Sequence, residues 1–507
     1  MNFPILTLIM LAPVVGAAVI LLIPRERAEA IKAVAAGSLV MSLLLSFFVM
    51  YSYDRLQGGF QFVEYSEWIP ALGISYYMGV DGFSAPQLLL TAVVGLCAVL
   101  VSWRQNDRPR EYFSFLLALI AGVFGAFVAL DIFLMLIFYE LVLFPVYVLV
   151  AGWGSKNREY AAMKLTIYLF LGSLVSIIGI LAVYFNAGNT FNLIELQQNV
   201  AGMENSVAFQ QLWFPFVFIG FAVLASLFPL HNWSPDGYAA APTAVSMLHG
   251  GVLKATGAYA ALRFGMQLLP EGAKFWMPWF AVLCVAGLIY AAAIAFRQTD
   301  LKYIIGFSSV SHLGLVLIGL SAMNTYGLNG AGIELFAGGV MTGLMFSLVG
   351  MIYERSHIRE INELSGLARV MPLVAIGWVI GGLTLMGMPG LPGFVAEIQI
   401  FMGLWQASTG VSQLNPAMLN WQYAVIAIVA VISIVINAAW TLRVAGRIFF
   451  SEPQHPQLQT LPRLDGLEKF AILFMCGILL LVGMLPNSVM SVVQSGVQSI
   501  VLSFLGT

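Results

Sequence analysis

Long apolar runs leave this chain one solvent to fold in. A helix needs about 20 predominantly apolar residues to cross the ~30 Å hydrocarbon core of a bilayer. Runs of roughly that length fall at 4–23, 33–53, 83–103, 113–130, 132–152, 166–185, 213–230, 241–264, 276–296, 303–322, 329–352, 372–408, 422–446 and 468–492. Only 9% of the 507 residues are Asp, Glu, Lys or Arg, against roughly 25% in a soluble globular domain. A soluble enzyme is excluded, and an all-α polytopic membrane protein with about 14 transmembrane helices is predicted. The first run has no basic segment before it and is long enough to span, so it is expected to persist as a helix and not as a cleaved signal peptide. The longest polar excursions, about 54–82 and 186–212, are too short for domains and predict small caps on one face.

The formal net charge of −2 indicates neither a nucleic-acid surface nor an acidic tail. Cys97, Cys284 and Cys476 lie singly in apolar runs, which matches no disulfide framework and no iron–sulfur ligand spacing. The glycine string Gly387-Met-Pro-Gly390-Leu-Pro-Gly393 lacks the spacing of a dinucleotide fingerprint. No metal, nucleotide or redox cofactor is expected on this chain.

Orientation follows from the basic residues. With fourteen spans, eighteen of the 22 Lys and Arg fall in loops on one face, and only Arg55, Arg263 and Lys274 on the other. Lysine and arginine collect on the cytoplasmic side of membranes, so both termini are expected on the periplasmic or lumenal side. The remaining basic residue, Lys254, falls inside the eighth span. A charge at helix centre costs roughly 2.5–3.5 kcal/mol on insertion scales, and four titratable groups sit at such positions: Glu140, Lys254, His312 and Glu397. Each is open to two readings, a relay of titratable groups across the membrane or an ion pair or satisfied polar contact inside the bundle.

Two spans are interrupted. Span seven runs into FPLHNWSPDGYAAAPTAV, where Pro229, Pro235, Gly237 and Pro242 cannot continue a regular helix, and span twelve is broken by GMPGLPG. Backbone released at membrane depth survives only against protein or a water-filled cavity, and breaks in corresponding positions point to repeats with ion sites at the breaks. The expected organisation is helices 1–3 in 1–112, a five-helix unit in 113–264, a second in 265–446 and helix 14 in 447–507. Kinks made only for packing are the alternative.

The strings FYELVLFPVYVLVAGWG with Glu140, FPLHNWSPDGYAAAPTAVSMLHGGVLK ending at Lys254, DLKYIIGFSSVSHLGLVLIG with His312, LVGMIYERSHIREINELSG, and GMPGLPGFVAEIQIF with Glu397 resemble the antiporter-like proton-pumping subunits of respiratory complex I. The resemblance covers helices 3–14 and is nearest to the chain 4, or subunit M, branch; chain 5 relatives carry a long lateral helix after the last span, where only a short tail follows here. It implies two inverted five-helix repeats with broken helices 7 and 12. It also implies a Glu in helix five paired with a Lys in helix seven, a central Lys in helix eight and a Glu in helix twelve leading out. Glu140, Lys254 and Glu397 occupy three of those positions. Two others are lost: the helix-seven Lys position holds Leu224, and an axial His of helix eleven aligns with Gly338. His249, Glu334 and Ser226 are the candidate substitutes or accessory groups. Water is expected between Glu140 and Lys254, with Leu224 facing it.

What the resemblance implies is proton transfer from cytoplasm to periplasm, coupled to quinone reduction elsewhere in a complex I-type oxidoreductase. Quinone and redox centres would lie on other subunits, and the partners would be neighbouring membrane-arm subunits. A subunit of a multisubunit cation/proton antiporter or membrane-bound hydrogenase, and a structural spacer that has lost pumping, are the alternatives.

Overall fold

The computed structural model describes residues 3–409, 421–453 and 456–505. Helices α1 (Ile5–Leu22) and α2 (Ala28–Ser52) precede a hairpin of β1 (Gln61–Ile69) and β2 (Ile74–Val80). Then come α3 (Ala85–Val101), α4 (Pro109–Val128), α5 (Ile132–Trp153), α6 (Arg158–Asn186), the short α7 (Leu193–Ala201) and α8 (Ser206–Leu224). Span seven resumes after residues 225–232 as α9 (Trp233–Ala240). Span eight strings together α10 (Thr243–Leu248), a π turn (His249–Leu253), α11 (Lys254–Ala260) and a second π turn (Ala261–Met266). It is followed by α12 (Pro270–Arg297), α13 (Leu301–Ser321), α14 (Thr325–Ser356) and a short α15 (Leu367–Val370). Span twelve consists of α16 (Pro372–Leu385) and α17 (Pro392–Ser408), and α18 (Trp421–Ile448), α19 (Gly466–Met484) and α20 (Asn487–Leu505) end the chain.

Thirteen helices among the described residues are long and apolar enough to cross a membrane. One of them, α20, does not run through the bundle. Its Val492 and Gly496 lie against Gly82, its Val493 against Gly332, Ser495 Oγ donates to Arg55 O at 2.9 Å, and Gln267 Nε2 reaches Ser503 Oγ at 3.5 Å. Those partners are ends of four different elements on one side of the bundle, so α20 lies across that side. Its pattern suits the position: Val489, Val492, Val493, Gly496, Val497, Ile500 and Phe504 are buried, with serine and glutamine between them, the spacing of an amphipathic surface helix. Span eight and the divided span twelve, whose pieces are individually short, complete the fourteen crossings. The last predicted run, 468–492, is thus corrected: the crossing stops at Met484, and Leu485-Pro486 begins a separate helix because proline cannot continue α19.

The bundle is organised around α14. Every residue of its most apolar 18-residue stretch is buried, against 28% for α2 at the periphery. The two polar excursions do cap one face. Register pairs Tyr65 with Tyr77 and Ile69 with Ile74 in the hairpin. Leu130 N donates to Tyr77 O and Phe191 N to Gly73 O, so the hairpin and the segment before α7 are laced together. Asp131 joins them: its carboxylate caps α5 at Leu134 N and accepts from Ser75 N at 2.8 Å. The start of α1, through Leu6 N donating to Glu64 at 2.7 Å, and α20 both lie on this hairpin face.

The opposite face carries the basic residues, held by a shell of contacts. Arg25 pairs with Glu111, Lys164 with Asp236 (2.6 Å) and Arg359 with Asp300 (3.4 Å). Arg104 grips both oxygens of Asp465 at 2.8 and 2.9 Å, which holds that carboxyl below the usual carboxylate range. Deeper in, Arg355 bonds Glu468 through two nitrogens (3.0 and 2.5 Å) and also reaches Pro462 O. The basic residue that departs furthest from the loop assignment is Arg263. It is not in a solvated loop but wholly buried in the second π turn, paired with Asp81; its partner lies 182 residues upstream, beyond the reach of loop counting.

Removing one partner of a buried ion pair strands the other charge and costs about 3–5 kcal/mol, whereas replacing both by apolar groups is often neutral. Glu468→Ala is therefore expected to lower the thermal unfolding midpoint of the purified protein by an amount matching that cost, and Arg355→Met with Glu468→Leu to recover most of it. Equal midpoints for the single and double variants would show that the pair does not hold α14 to α19.

Candidate functional site

Lys254 opens α11 immediately after the first π turn, deep in the bundle and 5% exposed. What brings it there is a close helix crossing. A Cβ on Gly251 would lie 2.7 Å from Gly339 O, and one on Gly339 would lie 2.6 Å from Gly251 O, so only glycine at both positions lets span eight touch α14. Lys254 Nζ donates to Ser309 O at 2.9 Å and to Ser309 Oγ on α13. One turn along α13, His312 Nδ1 meets Glu334 Oε1 of α14 at 3.0 Å, leaving Nε2 buried without a hydrogen-bond partner.

Lys254, His312, Glu334, Gly338 and Gly339 share a cavity of about 10 Å³, close to the space one water molecule needs. Gly338, where the resemblance leads one to expect a histidine, lies beside this group. A Cβ there would stand 2.9 Å from Glu334 Oε1, so the Glu334 carboxylate occupies the space that a side chain at 338 would fill. Glu334 interacts electrostatically with Lys254 on one side and with Glu397 on the other. Glu397 lies on α17, five residues after it begins, and its carboxylate packs against Gly387, a glycine held at φ +63° in the break of span twelve. Lys254, His312, Glu334 and Glu397 are thus brought together, as a chain of buried titratable groups from span eight to span twelve.

A second polar cluster sits in span seven. The chain leaves α8 through Ser226, at φ +59°, and re-enters helix at Trp233, whose indole donates back to Val223 O at 3.1 Å. Pro235 and Gly237 do not break the span; they lie inside α9, and the interruption is at 225–232. Here Ser226 and Ser234 turn toward the Tyr238 hydroxyl, and the edges of Trp233 and Tyr238 meet the His249 ring at 5.5 and 5.6 Å between centroids. Ser226 Oγ, Ser234 Oγ, Tyr238 OH and both ring nitrogens of His249 are buried without a hydrogen-bond partner. A buried polar atom left so costs roughly 1–3 kcal/mol, and these groups together form a polar track between spans seven and eight. In the first π turn the i→i+5 pattern keeps His249 and Lys254 close to one helix face.

Toward the basic face the track meets Lys302, whose ammonium donates to Ala241 O at 2.6 Å, and a cavity of about 360 Å³ lined by Lys156, Asp236, Asp300, Tyr303 and Arg359. Tyr303 OH donates to Asp236 at 2.9 Å. Ser234, Tyr238 and Lys302 were not singled out by sequence reasoning. Their signal lay in the motif: a serine and a tyrosine where an apolar span should have continued, and a lysine counted as a loop charge though it opens α13.

Glu140 does not join these groups by any ion pair. It lies on the outer flank of α5, half-buried beside the exposed Leu141 and Phe144. Ser173 of α6 is within hydrogen-bonding reach and Oε1 has no partner. No Lys or Arg among the described residues pairs with it. Leu224 is buried at the end of α8, but not against the hydrated space expected between Glu140 and Lys254: its Cβ is 2.9 Å from where a Cβ on Gly257 would stand, in tight apolar contact. That apolar contact with α11 takes the place a lysine would need.

Comparison with known proteins gives one answer from three directions. The sequence profile described as NADH:quinone oxidoreductase/Mrp antiporter, TM, matches residues 129–419. An NAD(P)H-quinone oxidoreductase chain 4 of Synechococcus elongatus is 37% identical over 406 residues, 79% of this chain and 75% of that one. The NADH-quinone oxidoreductase subunit M of Rhodobacter capsulatus is 32% identical and covers 99% of this chain and 98% of its own. In solved structures, a chain of respiratory complex I from Thermus thermophilus superposes with a TM-score of 0.86 at 26% identity, covering 98% of this chain and 99% of that one. A chain of the Mrp complex from a Dietzia species shares the fold, with a TM-score of 0.85 at 22% identity over the full length of both.

The position of Glu334 over Gly338 is open to a direct test. In Gly338→Ala the carboxylate, at the end of a flexible side chain, is the atom group that gives way, and it leaves His312. Gly338→Ala and Glu334→Gln are each expected to lower proton translocation per turnover of the assembled complex, and the double variant to lower it no further than the worse single. Contacting residues couple by about 0.5–3 kcal/mol; strictly additive losses would show that Gly338 acts elsewhere.

Proposed function

Since the chain belongs to the NADH:quinone oxidoreductase/Mrp antiporter membrane family, as an antiporter-like membrane subunit of the chain 4 or subunit M kind, we propose that it carries protons through the bilayer along the buried groups described above. The redox centres belong to other subunits of the complex, and neighbouring membrane-arm subunits cover its flanks. The basic face is cytoplasmic, the hairpin face periplasmic or lumenal, and both termini lie on the latter; the basic loops support this through the positive-inside rule. Protons enter through the 360 Å³ cavity at the basic face and follow Tyr238, Ser226 and His249 to Lys254. From Lys254 they pass by way of His312 and Glu334 to Glu397, and leave beside the span-twelve break.

The observation that carries this reading is Lys254 itself: an ammonium buried at membrane depth, hydrogen-bonded to Ser309 and sharing a one-water cavity with His312 and Glu334. Its proton affinity is adjustable by small movements. Two charges 4 Å apart at an effective dielectric of about 20 interact by roughly 4 kcal/mol, and about 1.4 kcal/mol shifts a pKa by one unit. Swinging the Glu334 carboxylate between His312 and Lys254 therefore moves a proton on or off the lysine. Glu140 stands at the rim of this path as an accessory carboxylate facing the flank.

A structural spacer would have no use for this arrangement. The helix-eleven position that lost its histidine has been filled by a carboxylate on the next turn, hydrogen-bonded to the histidine of α13, which supports a rerouted path and not an abandoned one. The test is proton translocation in proteoliposomes of the purified complex supplied with its own electron donor. Lys254→Met is expected to slow proton transfer through this subunit by about 10²-fold or more, the loss typical of a removed proton-transfer group, with assembly intact. Glu397→Gln is expected to lower translocation as well. Wild-type translocation per electron in Lys254→Met would overturn the reading.

A further inference from the structure

We propose that the buried Arg263–Asp81 pair is a proton seal: it closes span eight between Lys254 and the hairpin face, so that a proton on Lys254 leaves sideways toward Glu334 and not straight down the helix. Arg263 follows Lys254 by nine residues, about 13 Å at 1.5 Å per residue, on the side of the hairpin. It is 1% exposed, as is Asp81. Every nitrogen of the guanidinium is engaged: Nη2 donates to Asp81 Oδ2 at 2.5 Å, Nη1 to Gln267 Oε1 at 2.6 Å and Nε to Tyr259 OH at 3.4 Å. The rings of Phe60 and Tyr259 cover its faces, 4.9 and 5.3 Å from Cζ to centroid. The other Asp81 oxygen accepts from Phe83 N and Ser84 N at 3.1 and 2.9 Å.

This chemistry is opposite to that around Lys254. Proton hopping needs groups that accept a proton on one side and release one on the other. A guanidinium has donors only and keeps its proton in proteins, and here the carboxylate beside it has both oxygens occupied. The site is also closed from outside. Helix α20 lies over it: a Cβ on Gly82 would come within 2.6 Å of Gly496 N, and Gln267 reaches Ser503 on the same helix. Around Lys254, by contrast, there are an unpartnered imidazole nitrogen and a cavity. The route sideways is adjustable, and the route downward is saturated.

The inference rests on Lys254 as the proton carrier, and the experiment separates the two. Purified complex in proteoliposomes, without electron donor, is given an inside-negative potassium diffusion potential with valinomycin, and proton influx is read by an entrapped pH dye. Asp81→Asn with Arg263→Met removes both charges together, so no uncompensated charge remains to unfold the protein. This double variant is expected to admit protons several-fold faster than wild type, and adding Lys254→Met is expected to return the rate to baseline. Arg263→Lys keeps the charge and the pair but introduces a group that can lose its proton when buried, and is expected to leak in assembled complex. Wild-type tightness in the assembled double variant, or a leak that survives Lys254→Met, would overturn the seal. If Lys254→Met alone abolishes driven pumping while the double variant stays tight, the proton path stands and only the seal falls.

Discussion

The contact between Gly251 and Gly339 is the one on which the centre of this molecule depends. In a bilayer no hydrophobic force draws helices together, and small residues supply packing by letting backbones touch. Here the touching helices are the one that carries Lys254 and the one that carries Glu334. A methyl group on either glycine would push them apart by more than the side chains could follow, because each hypothetical Cβ meets a carbonyl oxygen and not a flexible tip. Around that crossing α13 supplies Ser309 and His312, and span twelve closes the far side with Glu397. The insertion cost of a central charge is offset because the groups that answer it are held at contact distance by backbone.

Two departures from the family pattern read differently once packed. Where the resemblance leads one to expect a lysine, Leu224 seats against Gly257 of α11, and Glu140, with no cation partner among the described residues, sits at the flank with Ser173 as its polar neighbour. Gly338 leaves the space that the Glu334 carboxylate fills. One position is thus apolar, and beside the other a carboxylate stands hydrogen-bonded to His312.

How much of this was legible in the sequence depends on how far each signal reaches along the chain. Span number, broken spans seven and twelve, and the burial of Lys254, His312 and Glu397 are local: a run of apolar residues, a proline cluster, a charge inside a run. They follow from the cost of bare backbone and charge in lipid. The hairpin and α7 were legible only as polar excursions, because their mutual lacing through Asp131 is a long-range contact. Arg263 was misassigned although it lies within the eighth run, since its partner Asp81 is far away in sequence. The serine-spaced α20 was merged with α19 because a reading of apolar length is blind to a turn at Leu485-Pro486. The polar track of Ser226, Ser234, Tyr238 and His249 needed a fold to bring span seven onto span eight.

The two π turns carry a consequence for how this helix is compared with others. Each holds one residue more than the α-helical count for its length, and a residue in an α-helix corresponds to about 100° of rotation. The seven residues Lys254–Ala260 are therefore out of phase with α10 before them and with Arg263 after them. A helical wheel drawn from Thr243 to Met266 assigns Lys254 and Arg263 to the wrong sides. A π turn absorbs its extra residue locally, so the same helix shortened by one residue at Gly250 or Gly251 would close into an unbroken α-helix with its lysine still aimed at the side where Ser309 stands. Counting residues along span eight therefore misplaces Lys254, whereas following the helix face does not.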